Sequence, residues 1–372
     1  MRPASEAERR RLGELFAELC AIPSPSGQEA AVGARVQELL RGWGYAPQSD
    51  AHGNVLARRE AGRASSVLLC AHLDTVPHGD IPIEPVLVNE GWENRHDAIL
   101  GADNKAAIAV MLLAAQRASI EGAPVDLELL FTTGEETALA GAKAFDIAVL
   151  RSRLGYVYDH ATPIGEIVMA APTYYRLEAE LHGRAAHAGI RPEDGRSAIV
   201  AAARAIAAMR LGRLDPETTA NIGWISGGPA GATNVVPERC RMLGEARSLD
   251  AAHAEAVVAE MVDHLHDAAN EPSCECDLDV TVERLFEGYR HPPDSPAVAA
   301  AQRALGACGY TPRPIVSGGG SDANAFEVAG LHCVCLANGT ERNHEPTERV
   351  SVAALDGMLD VTFALLDACA EG

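Results

Sequence analysis

Lysine is almost absent from this chain: in 372 residues only Lys105 and Lys143 carry an ammonium side chain. With 31 Lys plus Arg against 52 Asp plus Glu, the formal net charge is −21. No basic stripe of the kind that tracks a phosphate backbone is present, which counts against nucleic acid and anionic membranes as partners. An acidic surface of this size mainly favours solubility, and bound divalent cations would offset part of it. No apolar run approaches the ~20 residues that a membrane-spanning helix needs. The nine cysteines are odd in number and never spaced C-x-x-C, which argues against a disulfide framework or a thiolate zinc site. Cys274/Cys276 and Cys333/Cys335 lie one residue apart in strand-like runs, where packing is the simple reading. A reducing cytoplasm is the expected compartment. Near the amino terminus Glu6, Glu8, Glu14 and Glu18 interleave with Leu12, Leu15, Phe16 and Leu19, the pattern of a surface helix and not of a signal peptide. Internal repeats and low-complexity stretches are also missing.

What is present is a globular composition, 47% hydrophobic and 22% charged, in a chain long enough that two domains are expected. From residue 28 to about 160 helix and strand patterns alternate. Helices are expected at Ala30–Leu40, Asn104–Ala118 and Leu139–Leu150, and strands at Asn54–Arg58, Ser66–Cys70, Val125–Phe131 and Gly155–Tyr158. Continuous apolar strands between helices indicate a mainly parallel sheet covered on both faces. The texture returns after residue 290, with helices at Ser295–Cys308 and Ser351–Leu366 around a strand at His332–Ala337. In between, a strand at Arg176–His182, a helix at Gly195–Met209, strands at Ala220–Ile225 and Arg239–Arg247, a helix at Ala251–Ala268 and a strand at Cys276–Glu283 follow the β-α-β-β-α-β order of a ferredoxin-like module. The expected fold is therefore an α/β catalytic domain, residues 1–173 and 285–372, with an inserted lid or dimerisation domain at 174–284.

Acids and histidines recur at element ends, where open α/β sheets place their sites. His72 and Asp74 end the run Val67-Leu68-Leu69-Cys70-Ala71 two residues apart, hence on one face of the strand. A carboxylate beside an imidazole fixes one ring nitrogen and leaves the other for a metal. Asp103 opens a helix in Gly101-Ala102-Asp103-Asn104-Lys105, where an N-cap is the plainer reading. Glu135 and Glu136 follow a strand through Thr132-Thr133-Gly134. Their plainer reading is a solvated turn or first helical turn. Asp159 ends a strand, and His344 lies in the loop after His332–Ala337. Together these carboxylates and imidazoles suit a pair of zinc-like ions bridged by a carboxylate, the arrangement of two-metal hydrolases. Of the adjacent glutamates one can ligate metal while the other, directed elsewhere by the turn, serves as general base.

Five ordered segments carry a resemblance: His72-Leu73-Asp74-Thr75-Val76-Pro77, Gly101-Ala102-Asp103-Asn104-Lys105-Ala106, Thr133-Gly134-Glu135-Glu136, the strand-ending Asp159, and Asn343-His344-Glu345. They resemble the successive motifs of the M20 metallopeptidase family, on its peptidase T-like branch, over nearly the whole chain. The resemblance implies one metal on His72, Asp103 and Asp159, and another on Asp103, Glu136 and His344. It implies Glu135 as general base and Asp74 as the residue orienting His72. Asn104 stands where many relatives have a second Asp. It further implies substrate contacts by His187 (from a partner subunit in many relatives), Asn234, Arg247, whose fork suits a carboxylate, and the glycine-rich backbone at Gly320. Two divalent ions, zinc or else cobalt or manganese, a short peptide substrate and a homodimer through the insert are what the resemblance suggests. Asp at position 159 points toward an aminopeptidase or tripeptidase. The alternatives are an N-acyl amino acid amidohydrolase and a carboxypeptidase.

Overall fold

In the computed structural model, which describes residues 2–371, the first helix begins at a capping box. Ser5 accepts the Glu8 N–H, and the Glu8 carboxylate accepts the Ser5 N–H at 2.8 Å. The helix, Glu6–Cys20, buries Leu12, Leu15, Phe16 and Leu19, the stripe that its 3.6-residue period defines. Beside it runs Ala102–Glu121, an Ala-rich helix buried on almost every side from Ala102 to Ala115. Small side chains let the sheet, the first helix and the last helix, Val352–Ala370, all pack closely on it.

The chain divides into two compact units: up to Ala170 with Arg290–Ser317 and Ser321 onward, and Ala171–Tyr289 with Gly318–Gly320. The first holds a mixed α/β sheet in the order Gln48–Ser49, Val55–Arg59, Asp126–Thr132, Ser66–His72, Leu154–His160, His332–Ala337, Glu166–Ala171. Its four central members, from Asp126–Thr132 to His332–Ala337, are parallel, as their continuous apolar runs require. Chain order reverses direction across this sheet. From Ser66–His72 the chain crosses to Asp126–Thr132 on one side, then to Leu154–His160 on the other. A crevice at the strands' carboxyl ends follows from that reversal.

The second unit is an antiparallel sheet in the order Gly212–Asp215, Thr218–Gly227, Arg239–Ser248, Thr173–His182, Asp277–Phe286. Leu177, Ala179 and Leu181 share its buried face and join a core with Ala201, Ala205, Val258, Met261 and Leu265 from its two helices, Ala198–Ala208 and Ala251–Asn270. This is the expected ferredoxin-like order, with one extra short strand. All nine cysteines are free thiols.

Two segments differ from expectation. The single helix at Leu139–Leu150 is a short helix, Ala140–Ala144, and a 3-10 turn, Ile147–Val149. Ala138 and Leu139 have positive φ, and a Cβ on Gly141 would collide with the Thr133 backbone and Asn54, so the chain is pinned to the neighbouring turn instead of propagating as helix. A small sheet, Thr340–Glu341, Arg349–Ser351, Gly91–Asn94 and Pro85–Val88, was not legible in the pattern. Its members are two to four residues long, below what periodicity can register.

One contact ties the first helix to the rest of its core. Glu8 accepts from Arg117 Nε at 2.7 Å and Arg2 Nη1 at 2.8 Å, while the Arg117 guanidinium lies 3.3 Å from the Phe363 ring centre. Burial would raise the Glu8 carboxyl, but these hydrogen bonds outweigh it and hold the group far below its ordinary 4.5. A depressed carboxyl contributes stability above its unfolded value and loses it as pH falls toward the folded one. Glu8→Gln is expected to lower unfolding free energy by about 2 kcal/mol at pH 7. The gap from wild type should close progressively below pH 4.5. Urea unfolding at pH 7 and in the acid range checks this; a gap independent of pH contradicts it.

Candidate active site

His72 is the last residue of the strand Ser66–His72 and is buried. Its Nδ1 lies 3.0 Å from the Asp74 carbonyl and 3.4 Å from the Asp74 carboxylate, so Asp74 fixes that edge of the ring. Its Nε2 faces Asp103 Oδ1 at 3.2 Å and Asp159 Oδ1 at 3.5 Å. Asp159 occupies the penultimate position of Leu154–His160, the neighbouring parallel strand, so the two meet because their strands end together.

Asp74 does more than orient an imidazole. Its Oδ1 accepts the Glu135 N–H at 3.0 Å, and its Oδ2 accepts the Glu136 N–H at 3.1 Å and the Ser26 hydroxyl at 2.7 Å. One buried carboxylate thus holds the turn that follows Asp126–Thr132. From that turn the consecutive glutamates diverge. Glu136 Oε1 meets His344 Nε2 at 2.8 Å, while Glu135 lies with His72 and Asp159, donor atoms of all three within 4.8 Å.

Asp103 stands where these groups converge. Its Oδ2 accepts from Asn343 Nδ2 at 2.8 Å and lies 3.4 Å from His344 Nε2. The backbone at Asp103 and Asn104 is not helical, and the Asp103 oxygens are directed to His72, Asn343 and His344, so the N-cap reading does not describe it. His344 sits at the tip of a hairpin between Thr340–Glu341 and Arg349–Ser351, with left-handed backbone, φ 68°. The expected loop is therefore anchored by the small sheet.

Crowded carboxylates dictate the electrostatics. Burial raises the Asp159 carboxyl to about 7, and burial with the nearby Asp159 charge raises Glu135 well above the ordinary range. Burial would also raise Asp103, but hydrogen bonds from His344 and His72 outweigh it and hold this carboxyl low. Hydrogen bonds to Asp103 and Glu136 push His344 up to about 10. His72 is raised too, because the Asp159 charge and Asp103 overcome its burial. Protonated imidazoles thus supply the positive charge that these acids require. Donor atoms of His72, Asp103 and Glu136 lie within 4.8 Å of one another, as do those of His72, Glu135 and Asp159. Nitrogen and carboxylate donors at this spacing, without sulfur, fit a divalent cation.

Several neighbours escaped the sequence reading. Asp322 is fully buried, accepts from Thr132 Oγ1 and bears on the charge of Glu135. Its carboxyl is raised by burial to about 6. The sequence signal was there, an acid directly after Ser317-Gly318-Gly319-Gly320-Ser321, but it reads as a helix start, and Ser321 does cap Asp322–Ala329. Asn54 holds the Thr133 N–H at 3.0 Å and the Gly141 carbonyl at 3.0 Å from far along the chain.

The remaining site candidates belong to the second unit. His187 is exposed and bridges Val235 through its backbone, beside Asn234, whose carbonyl accepts the Ala188 N–H at 2.8 Å. Arg247 stacks 4.1 Å over the Tyr174 ring and is gripped by Glu245 at 3.0 and 3.2 Å. Its Nη1 reaches the Gly318 carbonyl at 3.4 Å. Gly320 packs on Phe286 so closely that a Cβ would collide with the ring, which explains glycine there. The stretch is a packed segment, not a free loop.

A strand-end cluster of acids and imidazoles fitted to divalent cations, on a mainly parallel sheet with an inserted ferredoxin-like unit, defines a metal-dependent hydrolase. The profile of peptidase family M20/M25/M40 matches residues 68–368, and the chain belongs to this family. It is 33% identical to the protein YqjE of Bacillus subtilis strain 168, over 97% of this chain and 99% of that one. The solved structure of aminopeptidase PepT from Bacillus cereus ATCC 10987 superposes with a TM-score of 0.86 at 35% identity, covering 97% and 99% of the two chains. A tripeptidase from Staphylococcus aureus subsp. aureus Mu50 does so with a TM-score of 0.91 at 30% identity, covering 98% and 99%. The likeness thus runs to the peptidase T branch, and the protein is a peptide hydrolase of a metal-dependent family.

Asp74 offers the most direct test of the geometry. Asp74→Asn places an amide NH₂ against the Glu135 or Glu136 N–H and withdraws the charge beside His72. Peptide-hydrolysing kcat/KM is expected to fall ~10–100-fold, the usual effect of losing a partner that orients a metal-binding group. Rate and Tm measured together decide it: a wild-type rate contradicts the positioning role.

Proposed function

We propose that this protein is an aminopeptidase acting on short peptides, tripeptides above all, with two divalent ions, zinc or alternatively cobalt or manganese. The observation that carries this reading is the sharing of Asp103 between two groups of donors. His72 and Asp159 lie on one side, and His344 and Glu136 on the other. Likeness to an aminopeptidase and a tripeptidase over almost the full chain supports the substrate class. His72, Asp103 and Asp159 would hold one ion, and Asp103, Glu136 and His344 the other. Bound there, the ions would supply Lewis acidity toward the scissile carbonyl and lower the pKa of the attacking water.

Glu135 is the general base and acid in this reading. Its oxygen lies within 4.8 Å of the His72 and Asp159 donors but makes no imidazole ion pair as Glu136 does with His344, and burial with the Asp159 charge raises its carboxyl well above the ordinary range. It takes the proton from water and returns it to the leaving amine. Asp74 keeps His72 and the Glu135–Glu136 turn in place. His187, Asn234, Arg247 and the backbone at Gly320 are assigned to substrate, Arg247 to a carboxylate through the guanidinium edge that Glu245 leaves open.

A peptide panel tests the reading. Metal-loaded protein is expected to release the amino-terminal residue of tripeptides and to leave N-acetylated peptides and N-acetyl amino acids intact. Preference for the acylated substrates would install the amidohydrolase alternative, and carboxyl-terminal release the carboxypeptidase one. In the same assay Glu135→Ala should lose at least ~100-fold in kcat while retaining both ions, a loss in the range that general acid–base catalysis contributes. Glu135→Ala that loses metal while Glu136→Ala keeps it would reverse the two roles.

The proposal includes a homodimer through the inserted unit and a cytoplasmic setting. Among the described residues no helix is long and apolar enough to cross a membrane. Strand Thr218–Gly227 pairs with Gly212–Asp215 only over its first three residues, and beyond them Trp224 and Ile225 are about half exposed. That edge is suited to a second copy. With His187 acting across the interface, mixing His187→Ala and Glu135→Ala proteins under subunit exchange should restore activity, because some heterodimers then contain one intact site. No recovery despite demonstrated exchange places His187 in its own chain's site or outside catalysis.

A further inference from the structure

The hairpin that carries His344 ends in a second functional-looking acid that no motif includes. Glu348 is 2% exposed. Its Oε2 accepts the backbone N–H groups of Leu100 and Gly101, both at 2.8 Å, and its Oε1 accepts the Asp103 N–H at 2.9 Å. Three main-chain donors converge on one carboxylate because Gly101 has left-handed backbone, φ 73°, which turns successive N–H groups toward the same point. The fully buried Lys105 has its Nζ 3.3 Å from the Ile22 carbonyl, and the Glu348 charge favours its charged form against burial.

We propose that Glu348 is the positioning residue for Asp103, locking the Leu100–Asp103 segment to the His344 hairpin so that Asp103 presents its two oxygens to His72 and His344 at once. Glu348 reaches none of the cluster's donor atoms through its own oxygens. Both of those are taken by backbone N–H groups, so it acts through Asp103 alone. The segment needs such a device. Asp103 and Asn104 lie outside helical geometry at the start of Ala102–Glu121, and the N-cap position is Gly101, which has no side chain of its own to accept an N–H. Without the clamp, the N–H groups of residues 100, 101 and 103 would be buried donors with no acceptor, and the segment would shift to find one. A carboxylate suits the place and an amide does not. Glutamine offers one acceptor oxygen and turns an NH₂ group against the remaining N–H. The inference rests on the reading of Asp103 as a metal ligand.

Cobalt binding by the metal-free protein, measured by chelator competition and by the visible absorption of bound Co²⁺, tests the proposal without any turnover. Glu348→Gln is expected to raise the Kd for Co²⁺ ~10–100-fold, the range for partners that orient a ligand. Glu128→Gln is the matched control. Glu128 is equally buried and accepts the Arg151 and Ser152 N–H groups at 3.0 and 2.8 Å, with Arg58 Nε at 2.7 Å on its other oxygen, so it too holds backbone, away from the cluster. Its Kd should stay within about twofold of wild type even if Tm falls as far. Wild-type affinity in Glu348→Gln, or an equal loss in Glu128→Gln, overturns the positioning role. Should Glu348→Gln not fold, Glu348→Asp, which keeps the charge and shortens the reach, is measured in the same way, and a wild-type Kd there overturns the proposal as well. Asp103→Asn separates the two levels: if it binds Co²⁺ as tightly as wild type, the ligand reading fails, and the positioning role with it.

Discussion

Like charges held together away from water are the constraint around which this molecule is arranged. Asp103, Glu135, Glu136, Asp159 and Asp322 surround two imidazoles, and burial alone would favour the neutral acid for most of them. Such a cluster persists only with cations between its members or protons upon them. Here His72 and His344 are held protonated by the acids they face. A divalent ion supplies the same neutralisation from inside the cluster, and its binding must release those protons, because a ligating imidazole is neutral. The site's affinity for cations and the cost of assembling its acids are therefore one quantity seen from two sides.

Holding such a cluster demands rigidity from elements that repulsion would push apart. Two parallel neighbours, Ser66–His72 and Leu154–His160, deliver His72 and Asp159 from strand ends whose hydrogen bonds lie within the sheet. Glu135 and Glu136 come from a turn with no such support, and Asp74 provides it by accepting both of their N–H groups. His344 comes from a hairpin that the small sheet fixes. Buried carboxylates thus appear twice, some facing the imidazoles of the cluster and others, Asp74 and Glu348, facing backbone N–H groups. Accepting N–H groups favours the ionised form against burial; the Asp74 carboxyl ends up lowered, whereas burial still leaves Glu348 raised to about 7.

His72, Asp159 and the turn of Glu135 and Glu136 were legible because strongly patterned strands lead into them, whereas Asp103 opens a helix and His344 lies in a hairpin loop with no pattern of its own. The parallel sheet and the ferredoxin-like insert followed from the same periodicities. What supports the cluster was not legible, for definite reasons. Asp74 was visible as a partner of His72, but its grip on the Glu135–Glu136 turn spans sixty residues that no pattern joins. Glu348 lies four residues beyond His344 in a stretch with no periodicity, and its partners are backbone atoms, which carry no sequence signal. Asp322 follows Ser321 in the first turn of a helix, and nothing in that local pattern marks it as a neighbour of the cluster. The helix expected at Leu139–Leu150 failed because Gly141 is held against Thr133 and Asn54, a tertiary contact that overrides local propensity.

The scarcity of lysine gains meaning at Lys105. Ion pairs throughout the structure use arginine, as at Arg35 with Glu18 and Glu38 or Arg117 with Glu8. One of the chain's two lysines is instead fully buried under the Leu100–Asp103 segment, among Cys20, Glu348 and Asp74. Burial lowers its pKa, and the neighbouring negative groups oppose that. An arginine fork buried here would need five satisfied donors in a plane. A compact ammonium needs fewer partners, and it finds the Ile22 carbonyl. Its charge lies close to Glu348 and Asp74, the acids that hold backbone, and offsets part of their field. Arginine thus pairs with the acids nearer the surface, while the compact lysine is placed beside the buried acids that support the site.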